Sequence, residues 1–398
     1  MKKIGDRDEQ DSSFANQGNT EPLAQQWAKK YLQNLDNNLW EKDGADTTSL
    51  KEVVSREGRK KTAQRLMALL PTVSHQSWHK VETLLSKEVK RHQIEPTLIN
   101  PWEITADSFK IYEKILDVYT QQAPLRQLST VMRLARQGEP LYQKALEIYT
   151  EQVAPSQLAR VIGSHVGALR NKYTQQDPRI LGFVSMQFHY TSKILLQSLS
   201  ELERLVLIVY FKVLDDHLYM PLQRLYAAAA NHDYDSTTLV AVQNLLPVST
   251  EIAKKISEKI IDYYPNYRCY SGILSNPSIK ASSIRDVEMF QVYLWLATLE
   301  GNISAIKQEL FPLSVMLYPT LNVQWEIIRQ MLDLLGQEIK EHLTSKQSDT
   351  IMPYYQALWH MFSPEVFVEF DFCQDSHQFN DDLSNIYLLK SSNKNIHL

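Results

Sequence analysis

The sequence predicts an all-α fold, a multi-helix antiparallel bundle or short α-superhelix built from helix pairs. Three observations carry that expectation. Apolar residues recur at i, i+3, i+4 and i+7, the spacing of one helical face; Leu202, Leu205, Val206 and Val209 are the clearest run. Helix-start signals precede the runs, as at Ser200 and Glu203, whose three-residue spacing is that of a capping box. Glycine and proline number only 11 and 16 in 398 residues, few for a sheet-rich fold with its many tight turns.

Residues 1–20 are polar, charged and without periodicity, and are expected to be a disordered tail. Residues 21–92 form a basic N-terminal helical section. Leu23, Trp27, Tyr31 and Leu35 mark its first amphipathic helix, and Ser49 with Glu52 is spaced as a capping box. Two further helices are expected, near 50–70 and 75–92. Residues 93–104, with Pro96 and Pro101, read as a linker.

A central core of helices is expected over 105–363. It opens with an internal echo, in which Tyr119-Thr-Gln-Gln-Ala-Pro-Leu-Arg-Gln-Leu128 matches Tyr149-Thr-Glu-Gln-Val-Ala-Pro-Ser-Gln-Leu158. Each echo is a helix ending ahead of a proline (Pro124, Pro155 and, in a third copy, Pro178) that opens the next helix. The stretch Pro140–Tyr149 has the composition of a tetratricopeptide second helix, but that family's Trp-Leu-Gly landmarks are absent and it does not carry over.

Leu205 to Phe211 is the longest apolar run, too short for the ~20 residues of a membrane span, and reads as the central core helix. Pro221 breaks it and opens the next helix. Asp235 or Ser236 is expected to cap 237–246, and Ile252, Ile256 and Ile260 stripe a helix over 250–264. Residues 265–282 carry no helical signal and read as a long loop. Ser283 with Asp286 then opens a strong helix ended by Gly301, followed by helices near 303–317, 322–343 (capped by Asn322) and 353–362. From Pro364 the character changes to an irregular acidic and aromatic tail, 364–398, in which Val366, Val368, Phe370 and Phe372 alternate at strand period.

Composition narrows the function classes. Cys269 and Cys373 are the only cysteines, so no disulfide framework exists, and Met1–Gln10 lacks an apolar signal core. A cytoplasmic protein without a membrane span is expected. The formal net charge is -4, but residues 51–92 hold ten basic and four acidic side chains. No phosphate-binding loop, nucleophile elbow or kinase signature occurs, and no cofactor is expected.

Three sets of residues remain as candidate sites. Asp215, Asp216, His217, His232 and Asp233 would supply carboxylates and imidazoles to a divalent metal if their two helices form a hairpin. The His232-Asp233 dipeptide resembles that of HD-type metal phosphohydrolases, whose remaining ligands have no counterpart that spacing can fix. Arg56, Arg59, Lys60, Lys61 and Arg65 would neutralise nucleic-acid phosphates. Phe367, Glu369, Phe370, Asp371 and Phe372 have the composition of a partner-docking peptide. His75 and His79, four apart without an intervening glutamate, lack the zinc-protease pattern and read as structural. The function expected is a non-enzymatic interaction scaffold or regulator that binds another protein. The alternatives are a nucleic-acid-associated regulator using 51–92 and a helical metal-dependent hydrolase or ligand-binding protein using 215–233.

Overall fold

Several helices in this chain begin where a short polar side chain accepts an otherwise unpaired amide. Ser55 accepts from Gly58, Ser236 from Leu239 and Asn276 from Ser278, while Ser200 with Glu203 and Thr344 with Gln347 form reciprocal capping boxes. A computed structural model describes Leu23, Ala24, Gln26, Trp27 and residues 52–53, 55–121 and 155–366. Among these the order is α1 (Arg56–Arg91), α2 (Pro101–Gln121), α3 (Pro155–Thr174), α4 (Ile180–Gln197), α5 (Glu201–Tyr219), α6 (Leu222–Ala229), α7 (Thr237–Leu245) and α8 (Ser249–Tyr263). A two-stranded hairpin, β1 (Arg268–Cys269) with β2 (Gly272–Ile273), precedes α9 (Pro277–Glu300). A π-helical turn (Ile306–Leu310), α10 (Phe311–Thr320), α11 (Trp325–His342) and α12 (Ser345–Met361) complete the order.

The fold is all-α. Helix α1 lies along α2 and α4, and α3 along α5. Helix α9 packs against α6, α8 and α12, and α11 closes over α8 and α12. Helix α6 touches both α3 and α9 and so joins the two groups. Their buried side chains form one continuous apolar cluster. No helix among the described residues is long and apolar enough to cross a membrane.

The helix enclosed on every side is α9, in which each residue from Val287 to Leu299 is buried. Two of its polar members, Glu288 and Gln291, are matched by partners: Thr250 donates to Glu288 at 2.5 Å, and Gln291 donates to the Ser249 carbonyl at 3.0 Å. That position was expected for Leu205–Phe211. There Leu207, Tyr210 and Phe211 are buried but Ile208 is half-buried, and Lys212, Asp215 and Asp216 interrupt the apolar surface further along. The side chains of Leu205, Val206 and Val209 lie outside the described residues.

Several boundaries differ from expectation for identifiable reasons. Helix α1 is one element of 36 residues running through Pro71. Pro71 is exposed, so its ring sits on the solvent side of the helix, where the lost backbone bond costs least. Pro353, likewise exposed, lies inside α12, which starts at Ser345 rather than 353. The expected loop 265–282 shrinks to the hairpin, because Asn276 caps and Pro277 opens α9 ahead of Ser283. Asn322 caps nothing. It adopts φ 53°, accepts from the Tyr267 hydroxyl at 2.6 Å and donates to the Arg268 carbonyl at 2.6 Å, fixing the hairpin to the turn before α11. In the expected linker, Pro96–Leu98 make a 3-10 turn and Asn100 accepts from the amides of Trp102 and Glu103, starting α2. Residues 1–20, 367–398, most of both matched repeat echoes (122–128 and 149–154) and the expected helix markers Tyr31, Leu35 and Ser49 lie outside the described residues.

Candidate functional site

Helix α5 turns from apolar to charged at Lys212, and α9 meets it with charges of its own. The Lys212 ammonium bonds Asp216 one turn on and lies 3.8 Å from Glu288 of α9. Arg285 places its guanidinium over the Tyr219 ring, 3.9 Å from the centroid, with Asp286 3.9 Å from one of its nitrogens. Asp215 Oδ1 and Arg285 Nε are enclosed and have no hydrogen-bond partner among the described residues. The seam thus holds two cations, Lys212 and Arg285, among four carboxyls, Asp215, Asp216, Asp286 and Glu288.

Desolvation governs how this seam titrates. Burial pushes the Asp215 carboxyl up to about 6 against the pull of Arg285 and Lys212. It pushes Asp286 up to about 6 as well, again opposed by Arg285. Burial lowers His217 to about 4, and its Nδ1–H donates to the Val213 carbonyl at 2.9 Å. His189 of α4 is lowered to about 3 by burial and then by Arg285 and Lys193. Both imidazoles are therefore neutral at physiological pH.

A second charged chain joins α3, α6, α9 and the π-helical turn. Buried Arg170 donates to the Leu218 carbonyl at 2.7 Å, to Glu309 at 3.0 Å and to the Tyr293 hydroxyl. Arg224 then grips Glu309 at 2.7 Å and Glu300 with both carboxylate oxygens. The wider turn at Ile306–Leu310 sets Glu309 between the two arginines.

The structure does not gather the five candidate metal ligands. Asp216 is paired with Lys212, and the His217 ring packs at 6.5 Å from that of Tyr226. His232 Nε2 lies 2.7 Å from the Leu299 carbonyl, beyond the end of α6, and Asp233 is exposed. Among the described residues no group of three or more His, Cys, Asp or Glu side chains is placed to hold a metal ion. His75 and His79 both face solvent.

The basic candidates divide. Arg56, Lys60 and Lys61 are exposed on α1, whereas Arg59 is buried at 1% exposure. Arg65 pairs with Glu203 of α5 at 2.7 Å. Burial raises the Glu203 carboxyl, but Arg65, Thr62 and Ser200 outweigh it and hold the group down at about 2. The capping residue of α5 is thus also the anchor of α1. The docking candidates Phe367, Glu369, Phe370, Asp371 and Phe372 lie outside the described residues.

Sequence reasoning picked out Asp215, Asp216 and His217 but missed Arg285, Asp286 and Glu288, which complete the seam from α9. The Lys212–Asp216 spacing of one helical turn was the available signal. The exposed Trp102 was also missed. Comparison with protein-family models, curated proteins and solved structures finds no match to this chain.

Proposed function

We propose that this chain is a non-enzymatic helical protein that serves as an interaction scaffold or regulator, presenting its helix faces to another protein. The observation that supports this reading is the set of large aromatic side chains left in solvent. Trp102, in the first turn of α2, is 84% exposed, and Tyr234, Tyr270 and Tyr263 are 70%, 59% and 55% exposed. Tryptophan and tyrosine are enriched among residues that dominate binding energy at protein interfaces. The paired state of Asp216, His217 and His232 fits the same reading. Two cysteines in the whole chain, Cys269 and Cys373, suit a cytoplasmic setting.

The test is a pull-down of the intact protein from nuclease-treated native lysate, alongside Trp102→Ala and Tyr270→Ala variants. The expected result is a captured partner that one or both variants lose. Deleting 364–398 reports separately on the acidic, aromatic tail. Capture indifferent to all three changes, or no capture, removes the reading.

A second reading, nucleic-acid association, is favoured by the exposure of Arg56, Lys60 and Lys61 on one helix. Retention on heparin that falls steeply with salt, and is abolished by reversing these three to glutamate, is its signature.

A further inference from the structure

Helix α1 packs on α2 and α4 through a buried stripe that includes Leu66, Leu70, Val81 and Leu85. Its solvent side carries the charge. Lys60, Lys61, Lys80, Lys87 and Lys90 are exposed, whereas Arg65 is paired with Glu203, Arg91 with Glu88, and Arg59 is buried. At ~3.6 residues per turn, Lys61, Lys80, Lys87 and Lys90 fall within an arc of about 100°. Lys80 also lies over the Tyr190 ring of α4, 5.6 Å from its centroid. The exposed acids of this helix, Glu57 and Glu82, fall outside the arc.

The cations come in two groups, Lys60 and Lys61 near the start of α1 and Lys80, Lys87 and Lys90 near its end. Between them the arc presents Thr72 and Gln76, exposed and uncharged. At a rise of ~1.5 Å per residue, Lys61 stands about 28 Å from Lys80 and about 39 Å from Lys87 along the helix. One turn of B-form DNA, ~34–36 Å, falls between these two lengths. A duplex laid along α1 therefore meets the two groups with phosphates of successive turns and sets a groove over the neutral interval. A single strand would track the helix as a continuous line of phosphates and stack its bases on aromatic rings. The neutral interval breaks that line, and Trp78 of α1 is half-buried and off the arc.

We propose that the outward face of α1 binds the backbone of double-stranded DNA, with Lys60 and Lys61 on one turn and Lys80, Lys87 and Lys90 on the next. The inference rests on the nucleic-acid reading above and adds the form of the nucleic acid and the second group of contacts. Binding is indifferent to base sequence, because lysines on phosphates position a duplex without reading base edges. The chain as a whole is net -4, so its field steers a polyanion towards this one basic face.

The probe is a fluorescein-labelled duplex of arbitrary sequence, ~16 base pairs and about 54 Å long, titrated with the full chain and read by anisotropy. The expected result is saturable binding in 50 mM NaCl whose affinity falls with salt at a log–log slope of about -4 to -5, near ~0.9 per lysine. Lys60→Glu with Lys61→Glu, and separately Lys87→Glu with Lys90→Glu, should each reduce that slope by about 2. Each pair should also weaken binding at least about 10-fold with the helical circular dichroism unchanged. A hairpin duplex of ~6 base pairs, about 20 Å, reaches one group alone and should bind at least about 10-fold more weakly. A single strand of equal length bound as tightly as the duplex overturns the inference and leaves nucleic-acid association standing. Loss confined to the Lys60 and Lys61 pair does the same. Polyglutamate competing as well as unlabelled duplex assigns the face to acidic proteins and removes both, as does the absence of saturable binding.

Discussion

Arg285 of α9 sits over the ring of Tyr219 at the end of α5, its guanidinium carbon 3.9 Å from the ring centroid. This stacking brings a cation to a seam where Asp215 Oδ1 has no hydrogen-bond partner among the described residues and Asp286 lies 3.9 Å from an Arg285 nitrogen, and it tempers their repulsion without removing their desolvation. The carboxyls accordingly titrate near 6 rather than at the usual aspartate value of 3.8.

A pH dependence of defined sign results. A carboxyl whose pKa is higher in the folded than in the unfolded chain binds its proton more tightly when folded, so stability falls as pH rises from about 4 to about 6. Asn at position 215 copies the neutral form. Asp215→Asn should raise stability at pH 7.5 by about 1–2 kcal/mol and by little at pH 4. Thermal unfolding of both proteins across that range checks it, and a difference independent of pH contradicts it.

Glu203 has the opposite sign. Its folded value of about 2 lies below the ordinary 4.5, so its contribution is present above pH 4.5 and is lost as pH falls towards 2. Glu203→Gln should cost about 1.5–3 kcal/mol in urea unfolding at pH 7, the range for hydrogen bonds to a charged group. The difference should shrink as pH falls through 3. Arg65→Ala should show a smaller loss with the same pH profile.

Removing Lys212 tests the other half of the seam. Lys212→Met leaves Asp216 and Glu288, 3% and 1% exposed, without their shared cation. Breaking a buried pair on one side typically costs about 3–5 kcal/mol, so unfolding should begin at markedly lower temperature. Replacing Lys212, Asp216 and Glu288 together by apolar residues should recover much of the loss.

Close approach between α3 and the α5–α6 junction supplies a fourth test. A Cβ at Gly163 would lie 2.5 Å from the His217 ring, and one at Gly167 would lie 2.5 Å from the Gln223 side chain. Gly163→Ala should destabilise by about 1–3 kcal/mol, the range for overpacking, because the ring is held by the Val213 carbonyl. Gly167→Ala meets a flexible side chain that can turn aside, and its cost should be smaller. Denaturant midpoints of the two variants make the comparison.

Most of the fold was legible because its determinants are local. Ser200 with Glu203 caps α5, Ser236 caps α7, and Gly301 ends α9 at φ 67°. Pro155 opens α3, and the chain turns at Pro221 into α6. Local signals failed where solvent tolerates a rule-breaker, as at Pro71 and Pro353, and where an early cap outcompetes a later one, as Asn276 does Ser283. The candidate site was legible only in half. Asp215, Asp216 and His217 are adjacent in sequence, whereas their partners Arg285 and Glu288 come from a helix whose pairing with α5 no local periodicity encodes. The second role of Glu203 was hidden for the same reason, since a capping box does not reveal that Thr62 and Arg65 of α1 also converge on it.

Amide hydrogen exchange on the intact chain tests the enclosure of α9 most directly. Amides of a helix shielded on all faces open only through global unfolding. Val287–Leu299 should therefore exchange slowest in the molecule and share one denaturant dependence with the cooperative transition. Exchange there as fast as on the outward turns of α1 or α12 would contradict the central placement of this helix.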